Sequence, residues 1–137
     1  MRFLTLDIGD RHTGVAFADA LGVPMPLETI HHSSEEELVN EAAIIASERT
    51  ADGFVIGLPY RSDGSEGGQA KKIRDIARKL CEHCPWCELH FVDERWTTKE
   101  ANKVAGGDSH AQAAVTLLQV FLERQRLSSA PTEEHAD

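Results

Sequence analysis

The chain alternates between short apolar runs and longer segments in which apolar residues recur every three or four positions, and this pattern predicts strands and helices in a definite order. Residues 2–8, Arg-Phe-Leu-Thr-Leu-Asp-Ile, read as a strand ending near Asp7, just before a turn at Gly9. Residues 13–19 read as a second strand, and the short glycine-containing link makes the two a hairpin. Pro24 and Pro26 mark the next turn, with residues 27–30 as a third short strand. Ser34 and Glu37 form a capping box that opens a helix facing inward through Leu38, Ala42 and Ile45. Residues 53–58 are a short buried strand closed by Pro59, and residues 60–68 a polar loop rich in Gly and Ser. Ile73, Ile76, Ala77, Leu80 and Cys84 then give the clearest amphipathic helix. Residues 89–92 form the last strand, with Asp93, Glu94 and Arg95 at its carboxyl end. Thr97 or Thr98 caps a short helix stopping at Gly106 and Gly107. The final helix spans 109–127, with Ala114, Leu117, Leu118, Phe121 and Leu122 inward. Residues 1–127 are expected to be one domain, and 128–137 a disordered acidic tail.

A hairpin followed by βαβ crossovers predicts an α/β fold with a mixed five-stranded sheet flanked by helices. Sites in such sheets collect beyond the carboxyl ends of the strands. Asp7 and the Asp93–Glu94 pair fall at two such ends, expected on neighbouring strands. Carboxylates placed together repel unless a cation sits between them, so the pattern suits a hard divalent metal. Two metals there would activate a water and stabilise the leaving oxygen of a phosphodiester. The plainer reading makes Asp7 a turn former and pairs Glu94 with Arg95 or Lys99.

Charge complicates that picture, because the formal net charge is −9. Residues 1–60 hold three basic and ten acidic side chains, whereas 61–127 hold eleven and ten. Lys71, Lys72, Arg74, Arg78 and Lys79 form either a local basic face or an ordinary solvated helix face. Strong non-specific nucleic-acid binding is not expected; a few well-placed contacts would have to hold a substrate. Arg11, Arg61 and Arg95 suit that task, since a guanidinium fork matches phosphate oxygens, and Lys72 joins them as a candidate.

Apolar residues make up 41% and charged residues 27%, the balance of a soluble globular protein. An apolar start interrupted by Asp7 is neither a signal peptide nor a membrane anchor, so cytoplasmic residence with no membrane partner is expected. Cys81, Cys84 and Cys87 repeat at metal-ligand spacing but lack a fourth cysteine; they are either an incomplete metal site or small buried side chains. Gly64, Gly67 and Gly68 precede a basic helix, either as a phosphate cradle or as a flexible loop.

Four ordered blocks over residues 1–124 resemble the YqgF/RuvX family of Holliday junction resolvase-like and pre-ribosomal RNA nucleases. They are Leu6-Asp7-Ile8-Gly9 to Gly14-Val15-Ala16 and Asp19; Ile56-Gly57-Leu58-Pro59 with Asp63-Gly64-Ser65; Asp93-Glu94-Arg95-Trp96-Thr97-Thr98 with Ala101; and Ala113-Ala114 with Leu117-Leu118-Gln119 and Leu122. The resemblance implies a ribonuclease H-like fold and a Mg²⁺- or Mn²⁺-dependent two-metal site. Asp7 and Glu94 match the first two ligand positions, and Asp93 would be an accessory ligand or an orienting acid. Three departures stand out. His12 replaces a cation in the first turn, the stretch after Thr98 is short and lacks its basic segment, and His110 occupies the place of the third metal-binding Asp. Asp108, two residues away and rotated round the helix, reads as an N-cap.

The implied function is metal-dependent hydrolysis of phosphodiesters in structured RNA, such as the pre-16S rRNA 5′ end, or in branched DNA. The rival is a catalytically weakened member that binds nucleic acid or protein without cutting. A two-lobed ATPase of the actin-like kind is disfavoured by the chain's length. Monomer and homodimer both remain open.

Overall fold

The computed structural model describes residues 1–96 and 108–135. The first strand, β1 (Phe3–Ile8), pairs antiparallel with β2 (His12–Ala18), as the glycine turn predicts, with Asp7 opposite Gly14. The expectation of a turn at Pro24 and Pro26 followed by a strand over residues 27–30 is corrected. The prolines lie in a strand, β3 (Pro24–Pro26), residues 27–29 lie outside the strands, and β4 (Ile30–His31) follows, both paired with β2. Proline lacks an amide hydrogen, so Pro24 and Pro26 are tolerated on this edge, and the pairing breaks before Ile30. Among the described residues the sheet therefore has six strands, not five, in the order β3-β2-β1-β5-β6, with β4 beside β2.

Helix α1 (Glu35–Glu48) starts at Ser34, whose Oγ accepts from the Glu37 amide at 3.1 Å. Glu37 answers by accepting from Ser33, through its amide at 2.8 Å and its hydroxyl at 3.0 Å. Strand β5 (Gly53–Leu58) follows and runs parallel to β1. Helix α2 (Gly68–His83) carries the expected stripe, and Ile73, Ile76, Ala77 and Leu80 are all buried. Strand β6 (Glu88–Asp93) runs parallel to β5 and passes into a tight turn of helix at Glu94–Trp96. The short helix expected between Thr97 and Gly107 lies outside the described residues. Helix α3 (Ser109–His135) continues past Leu127, where the apolar pattern stops.

Strand alternation splits the core in two. Leu4, Leu6, Ile8, Phe54, Ile56 and Leu58 face α1 and α2. Phe3, Val55 and Val92 face α3, which buries Ala114, Leu117, Leu118 and Phe121 against them. Asp7, in step with Phe3, points to the α3 side near the end of β1.

Cys84 and Cys87 belong to the first of these cores, and Cys81 on α2 is half-buried. Cys84 is buried, and the Cys87 thiol donates to the Ala51 carbonyl at 3.3 Å. Burial pushes all three thiols up, Cys87 to about 11. Thiols held protonated in this way are poor metal ligands, which favours the structural reading of the run.

Candidate active site

Asp7 and Glu94 meet on the α3 face, although their strands are not neighbours. Strand β5 lies between them, and the expectation of adjacent strand ends is corrected accordingly. The crossing is possible because β5 presents Gly57 at that point. A Cβ on Gly57 would stand 2.7 Å from Glu94 Oε2 and 2.9 Å from Leu117 Cδ1. Any larger residue would push Glu94 off the strand it must cross.

The two carboxyls are hydrogen-bonded to each other. Burial raises the Asp7 carboxyl above its ordinary value; the bond from Glu94 and the nearby charge of His110 oppose that rise. Glu94 is pushed up to about 7, first by burial, then by the charge of Asp7 and the shared bond, and finally by Asp93. Below about pH 7, protonated Glu94 therefore donates to ionised Asp7, and the pair then holds one proton between two acids. A divalent cation is the natural substitute for that proton.

This arrangement has a measurable consequence for stability. Glu94 keeps its proton in the folded state to higher pH than its ordinary value of 4.5 allows. The unfolded chain binds fewer protons in that interval, so stability falls as pH rises from about 5 to about 8. Buried His32, whose value is lowered, pulls the opposite way across the same window, so the diagnostic is the difference between wild type and Glu94→Gln. We expect wild-type Tm to fall relative to Glu94→Gln as pH rises in metal-free buffer, and a divalent cation to restore it at the alkaline end. Parallel profiles would show that the carboxyls do not share a proton.

Asp93 takes a different path. Phe91 packs towards α2 and Val92 towards α3, so alternation sends Asp93 to the α2 side. There Arg95 grips it, with Nη2 at 2.7 Å, Nε at 3.0 and 3.1 Å and the amide at 2.9 Å. That grip holds the Asp93 carboxyl below the ordinary carboxylate range. Arg95 also lies over the Tyr60 ring, 5.4 Å from its centre, and donates to the Arg61 carbonyl at 3.3 Å. The Arg61 guanidinium lies against Gly67. Arg61 and Arg95 thus gather in the loop beyond β5 and β6.

His110 lies in the first turn of α3, exposed, with its ring centre 5.1 Å from that of His12. Its backbone is pressed against Gly14, the partner of Asp7. Asp108 is the N-cap: it accepts from the His110 amide at 2.9 Å and, through its other oxygen, from Thr29 at 2.5 Å. Asp7 and Glu94 are therefore brought together, with His110 beside them. Among the described residues, no three His, Cys, Asp or Glu side chains converge into a finished metal cage.

The basic helix is largely neutralised. Arg74 binds Glu66, Arg78 binds Asp75 and Glu82, and Lys79 binds Asp75 and Glu35. Lys72 is the looser case, 3.7 Å from an exposed Asp10 across the turn after β1. Arg11 sits in that turn, its carbonyl accepting from the His32 amide at 2.9 Å.

The mixed sheet with helices on both faces is an α/β fold of the ribonuclease H-like kind. Thermus thermophilus RuvC bound to a Holliday junction substrate matches with a TM-score of 0.65, covering 91% of this chain and 96% of that chain at 12% identity. Thermus thermophilus RuvC in a second structure gives 0.59 at 14% identity, with the same coverage of each chain. At such identities the likeness is one of fold. Residues 1–124 match the sequence model of the family described as "RuvX: Holliday junction resolvase", and the chain belongs to that family. Two relatives share the name "Putative pre-16S rRNA nuclease". That of Synechococcus elongatus is 36% identical over 134 residues, spanning 90% of this chain and 89% of the relative. That of Fusobacterium nucleatum is 34% identical over 137 residues, spanning 91% and 99%. Among the described residues, no helix is long and apolar enough to cross a membrane.

Proposed function

We propose that this chain is a divalent-metal-dependent nuclease acting on structured RNA, pre-16S ribosomal RNA foremost, or on branched DNA. The observation that carries this reading is the Asp7–Glu94 pair, two largely buried acids hydrogen-bonded to each other, both raised by burial. Oxygen donors of that kind fit Mg²⁺ or Mn²⁺. Asp7 and Glu94 would hold the metal, with His110 as the neutral third ligand. When bound, the metal supplies an activated water and neutralises charge developing on the phosphate.

The chain's own side chains do the rest. Glu94 must surrender its proton before it can ligate. Asp93 is a positioning residue, since its carboxylate fixes the Arg95 fork. Arg61 and Arg95 offer phosphate contacts from the loop beyond β5 and β6, and Arg11 and Lys72 from the turn after β1. Few cations are left uncompensated along α2, so affinity should rest on these contacts and show a shallow salt dependence.

The test is cleavage of pre-16S rRNA and of a four-way DNA junction, by wild type and His110→Asp, in Mg²⁺ and in Mn²⁺. Imidazole suits softer ions than Mg²⁺ and carries one negative charge fewer than Asp. We expect little cleavage by wild type in Mg²⁺, clear cleavage in Mn²⁺, and recovery of Mg²⁺ activity by at least tenfold in His110→Asp. If neither protein cuts either substrate with either metal, yet both bind, the binding-only reading replaces this one.

A further inference from the structure

A pair of histidines outside the carboxylate site holds unusual geometry. His12 at the start of β2 and His31 at the end of β4 are directly opposite in the antiparallel register, and both are exposed. Their Nδ1 atoms are 2.8 Å apart, with ring centres at 4.9 Å and planes at 83°. Residues opposed in this way have Cβ atoms about 5 Å apart, which brings two imidazoles on one face together. The segment is also held firmly: His32, next in line, donates its amide to the Arg11 carbonyl, and its ring bonds Thr13 Oγ1 at 2.9 Å.

We propose that His12 and His31 form a two-histidine chelate for a borderline transition-metal ion, of the Ni²⁺ or Cu²⁺ class, separate from the carboxylate site. Two nitrogen lone pairs facing each other at 2.8 Å repel. Without a cation, one imidazole must carry its hydrogen on Nδ1 and donate it to the other. A cation between them lets both rings keep their hydrogens on Nε2 and turns both lone pairs into ligands.

The donor set selects the ion. At 2.8 Å the two nitrogens are at hydrogen-bonding distance, so the rings turn for both lone pairs to converge on an ion. Imidazole nitrogens suit Ni²⁺ and Cu²⁺, which stand high in the order of divalent affinities. Mg²⁺ is disfavoured because it takes oxygen ligands and keeps its waters. Waters would complete the shell, since no third donor converges among the described residues. The His110 ring lies tilted beside that of His12, 5.1 Å between centres.

The experiment is calorimetric titration of the untagged full chain with Ni²⁺ in a non-chelating buffer, with Cu²⁺ electron paramagnetic resonance as a second readout. We expect Asp7→Asn, whose carboxylate site is disabled, to bind one Ni²⁺ per chain and to give a Cu²⁺ signal carrying two imidazole nitrogens. In that background His31→Ala and the closer isostere His31→Gln should each weaken binding at least tenfold while keeping the circular dichroism unchanged. Unchanged affinity in both His31 variants would overturn the assignment. Loss of binding in Asp7→Asn would overturn it too, by placing the ion at the carboxylates.

Discussion

Asp7→Asn is expected to abolish cleavage, with a loss of about two to three orders of magnitude or more, while Tm stays level or rises. The activity loss follows from the position of Asp7, the ionised member of a buried acid pair. Removing one preorganised charge from a site where charge develops costs about that much. The stability expectation runs the opposite way. Asp7 and Glu94 are both raised by burial, so the folded state bears an electrostatic strain that a neutral amide relieves. The Asn carbonyl can still accept the hydrogen from Glu94. Melting curves and cleavage assays on the same preparation separate the two effects. A large fall in Tm with activity near wild type would show Asp7 to be a turn residue and remove the centre of the proposed site.

Much of this site is legible in the sequence, for reasons that particular residues illustrate. Asp7 and Glu94 stand at strand ends because the apolar runs before them are unambiguous, and in an open α/β sheet chemistry collects there. The stripe of α2 is read correctly because Ile73, Ile76, Ala77 and Leu80 leave no other face to bury. Asp93 was separable in principle, since adjacent residues of a strand point to opposite faces. The acids that neutralise α2 were visible as well, Asp75 and Glu82 lying three and four residues from Arg78.

What the sequence hides is lateral order and close approach. Nothing local says that β5 separates β1 from β6, and so Gly57 reads as part of a motif rather than as the gap Glu94 crosses. Strand β4 has two residues, too few for any period, yet it alone sets His31 against His12. The tie between Thr29 and Asp108 spans 79 positions and no pattern announces it. These contacts are products of the assembled sheet, which brings distant turns to one edge.

Among the described glycines, Gly14→Ala should be the most damaging single methyl. Gly14 lies in β2 opposite Asp7, under the first turn of α3. A Cβ there would stand 1.8 Å from the His110 carbonyl oxygen and 2.4 Å from its carbon, both backbone atoms that no rotamer change can move aside. The helix would have to lift, but the Asp108–Thr29 bond pins its start, and Ala114, Leu117, Leu118 and Phe121 lock its face to the sheet. Overpacking of this kind costs about 3 kcal/mol or more, a fall in Tm of roughly 10 °C for a domain of this size. Because the same turn carries His110, the surviving fold should also cleave poorly below its melting point. Gly68→Ala is the control: a Cβ there meets nothing within 4 Å, so its Tm should match or slightly exceed wild type. If Gly14→Ala melts within about 2 °C of wild type, α3 does not sit on β2 as closely as described, and His110 loses its fixed place beside Asp7.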